Sequence, residues 1–202
     1  MSSMTTTTDP VQTGQPARPS PERPGADRFL ESFERLERDL APNQPAWLVP
    51  IRKAGLAAFA ERGIPTLQDE DWRFTNLEPL AQMPFKPLLQ PRRPAAGLSL
   101  DAFPFAGLDA LRLVFVDGHF APELSSGEGL GSGVVVANLA SVLRESPELV
   151  EPHLARQAGQ EIQAMAALNN AFFTDGVFIH VAAGQAVPRP VHVLHLATRR
   201  EK

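Results

Sequence analysis

The chain has 202 residues, 43% of them hydrophobic, and its 19 lysines and arginines against 23 aspartates and glutamates leave a net charge of −4. That length holds one cored domain, or one domain with an accessory segment. Charges of both signs interleave and the longest basic clusters are the pairs Arg92-Arg93 and Arg199-Arg200, so the concentrated basic face of a nucleic-acid-binding domain is missing, while the lack of any cysteine removes thiol catalysis, disulfides and thiolate ligation by this chain.

From Met1 to about Pro24 the sequence has four consecutive threonines, five prolines and almost nothing large and apolar. Such a stretch buries too little surface to offset its ordering entropy and reads as a disordered leader over 1–26. It has no apolar core of the kind a secretory signal needs, and no stretch reaches the ~18 apolar residues of a membrane helix. The expectation is a soluble, cytoplasmic protein with no membrane and no nucleic-acid partner.

Periodicity begins at Asp27. Phe29, Phe33, Leu36 and Leu40 recur at helical spacing, with Asp27 as N-cap and Pro42 as stop. A second helix is expected from about Pro45 to Arg62, with Trp47, Ile51, Ala54, Ala58 and Phe59 as its stripe and Gly63 and Pro65 ending it. Pro50 fits only in the first turn of that helix. Asp69-Glu70-Asp71-Trp72-Arg73-Phe74 follows without clear periodicity, and the six prolines between Pro79 and Pro104 predict a surface connector. Helices and connector together make a helical region over 27–110.

A mixed segment is expected over 111–170. Leu111–Val116 is a short apolar run closed by Asp117-Gly118, the signature of a strand with a hairpin return through His119-Phe120. Ser125–Gly133 is a glycine/serine loop, Val134-Val135-Val136 a strand and Leu139–Leu143 a short helix. Two further helices are predicted over Glu148–Gln157 and Glu161–Asn170, the latter with Ile162, Met165, Ala166 and Asn169 on one side. From 171 onward the texture changes to β-runs between Gly and Pro turns: Val177–Val181, then Pro190–Leu196. No capping element follows, so the sequence reads as a stacked β-structure begun and not finished.

Candidate chemistry is sparse. Gly127-Glu128-Gly129-Leu130-Gly131-Ser132-Gly133 lacks the lysine that a phosphate loop needs to reach β/γ-phosphates, so a turn is the better reading. His192 and His195 lie three apart on a strand and face opposite sides, although His180 could approach either across stacked strands; ordinary strand histidines are preferred to a metal site. Asp69, Glu70 and Asp71 suit a solvated turn or helix cap better than an acid/base pair, whose pKa values must be driven apart. No serine sits in a nucleophile elbow. No catalytic, cofactor-binding or metal residue is nominated, and the chain is expected not to be an enzyme.

Two stretches nevertheless resemble one family. Ile64-Pro65-Thr66 through Asp69-Glu70-Asp71-Trp72-Arg73-Phe74-Thr75-Asn76-Leu77-Glu78-Pro79-Leu80 is similar to the segment near the N-terminus of the SufD family. Leu168-Asn169-Asn170-Ala171-Phe172-Phe173-Thr174-Asp175-Gly176-Val177-Phe178-Ile179-His180-Val181, with Gly184 and Pro190-Val191-His192, resembles that family's entry into its β-helix, and Val116–Phe120 also fits. The resemblance implies an α+β fold: an N-terminal helical region followed by the first rungs of a right-handed parallel β-helix over 171–202, incomplete at the C-terminus. It further implies a non-catalytic scaffold subunit of the SUF machine that assembles iron–sulfur clusters, with SufB-like and SufC-like (ATPase) partners. No cofactor is expected on this stretch itself, the iron–sulfur cluster being handled by the full complex. Two other classes compete, a small β-helical enzyme and a standalone binding module that uses the Trp72 region as its docking surface.

Overall fold

The computed structural model describes residues 26–40, 44–83, 88, 99–127, 130–156 and 163–198. Residues 1–25 of the expected leader, most of the Pro-rich connector (84–87 and 89–98, with Arg92-Arg93), Glu128-Gly129, Gln157, Glu161, Ile162 and Arg199-Arg200 lie outside these residues, and Ala26 already belongs to a helix. Helices α1 (Ala26–Leu40), α2 (Leu48–Arg62) and α5 (Ala164–Phe172) pack together, while α3 (Glu78–Gln82) and α4 (Leu139–Glu145) are short. The strands are β1 (Leu111–Val116), β2 (His119–Phe120), β3 (Val134–Asn138), β4 (Val177–Val181) and β5 (Val191–Leu196).

Helix α1 buries the expected stripe, with Phe33 and Leu36 inside and Phe29 and Leu40 half-buried. It starts at Ala26, so Asp27 lies in its first turn and is not the cap. Edge-to-face contacts join Phe29 to Phe59 and both Phe29 and Phe33 to Phe172, at centroid separations of 5.4–6.0 Å.

The fully buried face of α2 shares only Phe59 with the predicted stripe. Leu48, Arg52, Gly55 and Phe59 point inward, whereas Trp47 and Ile51 are half-buried and Ala54 is exposed. Opposite it, α5 turns Ala164, Ala167 and Ala171 inward, leaving Ala166 and Asn169 exposed. Both rotations have one cause. At Gly55 the two backbones approach so closely that a Cβ there would meet the Ala167 carbonyl oxygen at 2.7 Å and the Ala171 nitrogen at 2.9 Å. The small residues must therefore face each other, and the larger apolar ones move to the flanks.

The predicted helix over Glu148–Gln157 does not form across its described residues, 148–156. A single 3-10 turn, Pro147–Leu149, gives way to consecutive turns through residue 156. Pro152 explains the break, since it has no N–H to continue a ladder and its ring crowds the preceding turn. Val150 is still buried, with Leu48, Val142 and Leu143.

β1 and β2 form the hairpin that Asp117-Gly118 predicts, both turn residues having positive φ (50° and 87°). β5 pairs with β1 in parallel along its whole length, from Leu111 opposite Val191 to Val116 opposite Leu196. β4 does not stack on β5; it runs antiparallel to β3 in a second sheet. This puts His180 opposite Val135, away from His192 and His195.

The α2–α5 contact yields a test of opposite sign to helix propensity. Gly→Ala in a helix interior alone would add about 1 kcal/mol of stability. Gly55→Ala is expected to lose about 1–3 kcal/mol instead, because the obstructing atoms are backbone and cannot step aside. Gly107→Ala, with nothing within 4 Å of its Cβ position, is the control and should leave the urea midpoint unchanged or raised.

Candidate functional site

In the acidic-aromatic stretch after α2, Asp69 closes the chain back on Thr66. Asp69 accepts hydrogen bonds from the Thr66 backbone N–H at 2.7 Å and the Thr66 hydroxyl at 3.1 Å, which folds the chain into the 3-10 turn Glu70–Trp72. Arg73 pairs with Glu70 and lies 4.8 Å over the Phe74 ring. Asp71 accepts from the Gln163 side chain at 3.2 Å, linking this turn to the residue before α5. Each acid thus has a local task and the three do not converge on one point. Trp72 is half-buried against Phe59, Ile64, Leu77, Ala81 and Ala167, whereas Phe74 is 87% exposed. The aromatic this turn presents to solvent is Phe74.

A second polar centre lies between the helices and the β-region. The Arg52 side chain is only 4% exposed, yet among the described residues it meets no carboxylate. It donates to the Gln44 side-chain oxygen at 2.9 Å and to the Ala171 carbonyl at 3.1 Å, and its guanidinium sits 4.4 Å above the Phe173 ring. Burial pushes its pKa down to about 10, so it remains charged at neutral pH. A guanidinium held by an amide, a carbonyl and a ring joins the start of α2 to the end of α5 and the residue after it.

The third centre is Asp175. Its carboxylate accepts from the Asn138 side-chain amide (3.0 and 3.2 Å to its two oxygens), from the Ala140 N–H at 2.9 Å and from the Gly176 N–H at 2.8 Å. Asn138 ends β3 at the N-cap of α4 but makes no capping bond of its own. Asp175, 35 residues further on, caps the Ala140 N–H instead. The Leu139 N–H reaches the Gly176 carbonyl at 2.7 Å, so the start of α4 is fastened to the entry of β4 at two points. Asp117 is comparable in the other sheet: it accepts from the Thr198 N–H at 2.9 Å and hydroxyl at 2.5 Å, tying the β1–β2 turn to the chain leaving β5.

The histidines are dispersed. His195 stacks on Phe115 at 5.0 Å, His192 meets the edge of Phe105 at 6.1 Å, and His180 stacks on Phe178 at 6.5 Å. No group of three or more His, Asp or Glu side chains among the described residues is placed to hold a metal ion. In the glycine/serine loop, the Ser125 hydroxyl accepts from Val114 N–H and donates to the Ala121 carbonyl, and Ser126 bridges to Arg112, so the loop start is fastened to β1. Among the described residues, no helix is long and apolar enough to cross a membrane.

Arg52 and the capping role of Asp175 were both missed by sequence reasoning. Leu48, Arg52, Gly55 and Phe59 do lie at helical spacing, but scoring only apolar residues discards two of the four. The Asp175 signal was the Asp-Gly pair before a strand, which reads equally well as a turn.

Residues 25–193 match the family described as the SufBD protein N-terminal region, and the chain belongs to that family. It is 29% identical over 177 residues to an iron-sulfur cluster assembly SufBD family protein of Synechocystis, an alignment covering 84% of this chain and 37% of that protein. It is 28% identical over 149 residues to the iron-sulfur cluster assembly protein SufD of Escherichia coli, covering 73% of this chain and 31% of the relative. A chloroplastic SufBD family protein of Arabidopsis thaliana is 33% identical over 60 residues, which are 30% of this chain and 11% of that protein. The chain therefore spans about a third of the length of the first two relatives. The matched span takes in the Asp69 turn, Arg52 and Asp175.

Asp175→Ala removes the acceptor of Asn138, Ala140 and Gly176 together and leaves partly buried donors unpaired. A loss of about 1–3 kcal/mol is expected in urea unfolding. Asp175→Asn, which keeps one oxygen for the two backbone amides but sets an NH2 against the Asn138 amide, should fall between Ala and the parent.

Proposed function

We propose that this chain serves iron–sulfur cluster assembly as part of a non-catalytic scaffold subunit of a SUF complex, working in the cytoplasm beside SufB-like and SufC-like subunits. The observation that carries this reading is the family match over residues 25–193, joined to relatives named for iron–sulfur cluster assembly. In this reading the cluster is cargo of the assembled complex and not a resident cofactor of this stretch. The carboxylates of Asp69, Asp117 and Asp175 accept from backbone N–H groups and hold turns and strand ends in place, which is compatible with a structural role.

The architectural part of the proposal is that β1 and β5 open a right-handed parallel β-helix. Its support is their six-residue parallel register, the relation that successive turns of a solenoid require. In the sheet order β2-β1-β5, β5 is an edge strand, and a further parallel strand could add to it.

Two experiments test this. Co-expression of the chain with SufB-like and SufC-like subunits from the same source should give a co-eluting complex on size exclusion; separate elution of all three at micromolar concentration would sink the scaffold reading for this stretch. Amide exchange tests the open edge. Leu111 N–H bonds to the Pro190 carbonyl and Asp117 N–H to the Leu196 carbonyl. In such a parallel ladder, amides of β5 alternate between β1 and the outer edge, so Val191, Val193 and His195 should exchange much faster than His192, Leu194 and Leu196. Uniform slow exchange across β5 would mean that the edge is covered.

A further inference from the structure

The segment 99–108 lies over one face of the β1–β5 pair, where Val114, Val116, Leu194 and Leu196 pack with Leu100 and Phe103. The next pair on the same face is polar. Arg112 stands in register with His192, and paired residues of adjacent strands share a side of the sheet. Both side chains reach consecutive residues of the covering segment: the Arg112 guanidinium donates to the Ala106 carbonyl at 2.6 Å, and the His192 ring meets the edge of Phe105. Phe105 has a φ of 64°, a left-handed conformation that bulky side chains rarely adopt, and is 70% exposed. Strain of this kind concentrates where a segment clamps a ligand.

Beside Phe105 two buried nitrogens, Arg112 Nε and His192 Nδ1, have no hydrogen-bond partner. A buried donor without an acceptor carries the full cost of its desolvation, so this place favours an incoming acceptor. Neighbouring strands lie about 4.8 Å apart, a gap that one oxygen bridges with hydrogen bonds of about 2.8 Å to a nitrogen on either side. Charge narrows the class of acceptor. Among the described residues Arg112 forms no ion pair, while in the neighbouring chain Asp101 accepts from the Ser99 hydroxyl and Asp109 pairs with Arg189. An unpaired guanidinium beside a histidine suits a carboxylate, and the apolar surroundings of Val114, Leu194 and Phe105 make a singly charged head less costly to bury than a phosphate. We propose that Arg112 Nε and the Nδ1–H tautomer of His192 bind the carboxylate of a small organic acid, with Phe105 as the cover that turns aside to admit it. The site is the same whichever complex the chain joins.

The probe is sodium acetate, titrated at neutral pH into the isotope-labelled full chain, with sodium chloride at equal ionic strength as control. Nuclear magnetic resonance follows the histidine ring nitrogens and the Phe105 and Ala106 backbone amides. Acetate should shift the His192 Nδ1 signal and both amides saturably in the millimolar range, and chloride should not. Arg112→Gln removes Nε and the charge, whereas His192→Phe removes Nδ1 and keeps a ring edge against Phe105. Each should raise the half-saturating acetate concentration about tenfold or more, as loss of one charge-assisted hydrogen bond does. If Arg112→Gln shows no cooperative urea transition, His192→Phe decides alone. Without a saturable acetate shift the proposal is overturned, an ordered water then being the partner of both nitrogens. Unchanged half-saturation in the folded variants overturns it too, and so does inorganic phosphate binding more tightly than acetate.

Discussion

The close approach of α2 and α5 at Gly55 is the constraint on which the rest of the structure rests. Because the Gly55 Cα faces the Ala167 carbonyl and the Ala171 nitrogen, one α2 face is fixed as Leu48, Arg52, Gly55 and Phe59. That rotation carries a cation into the interior. Arg52 then has to be satisfied locally, and the Gln44 oxygen, the Ala171 carbonyl and the Phe173 ring do so. A guanidinium has a planar fork and a weakly hydrated face, so it tolerates this mixture where an ammonium would not. The same rotation places Phe59 fully inside, where it meets Phe29 from α1 and, with Ala167, backs Trp72.

The consequences reach the β-region through the end of α5. Ala171 accepts from Arg52, Phe172 packs on Phe33, Phe173 lies under the guanidinium, and two residues later Asp175 caps α4 and grips Asn138. Four of the five residues from Ala171 to Asp175 thus fix the helix exit, the end of β3 and the start of α4. The Asp69 turn shows the same economy on a smaller scale, since Thr66, Asp69 and Gln163 hold it in one shape and leave Phe74 outside.

Much of this was legible in the sequence where the signal is local. The Asp117-Gly118 hairpin, β1, β4, β5, and the α1 stripe follow from turn chemistry and periodicity. The failures lie where tertiary contact overrides pattern. Helix faces were assigned by hydrophobicity, which ranks Gly55 and Arg52 last although they occupy the tightest place in the interface. The helix over Glu148–Gln157 was inferred from composition around Pro152, which forbids it. The possibility that His180 approaches His192 or His195 rests on consecutive strands stacking; the partner of β5 is instead β1, about eighty residues earlier. No local pattern encodes such a pairing, since it depends on the α-helical layer that returns the chain.

That return separates what the two halves can contribute. In the helical half Arg52 is held by Gln44, the Ala171 carbonyl and the Phe173 ring and the aromatic rings meet each other, while Leu48 carries the packing across to Val142, Leu143 and Val150. The β-half is held differently. Among the described residues β5 is paired as a strand with β1 alone, and Ile179 and Val181 on β4 remain 48% and 39% exposed. Burying two such β-branched side chains more fully is worth about 1.5–3 kcal/mol each at the limit. A strand added at the β5 edge of one sheet and a cover over Ile179 and Val181 of the other would each add to folding stability, as does any partner that binds the native chain and not the unfolded one.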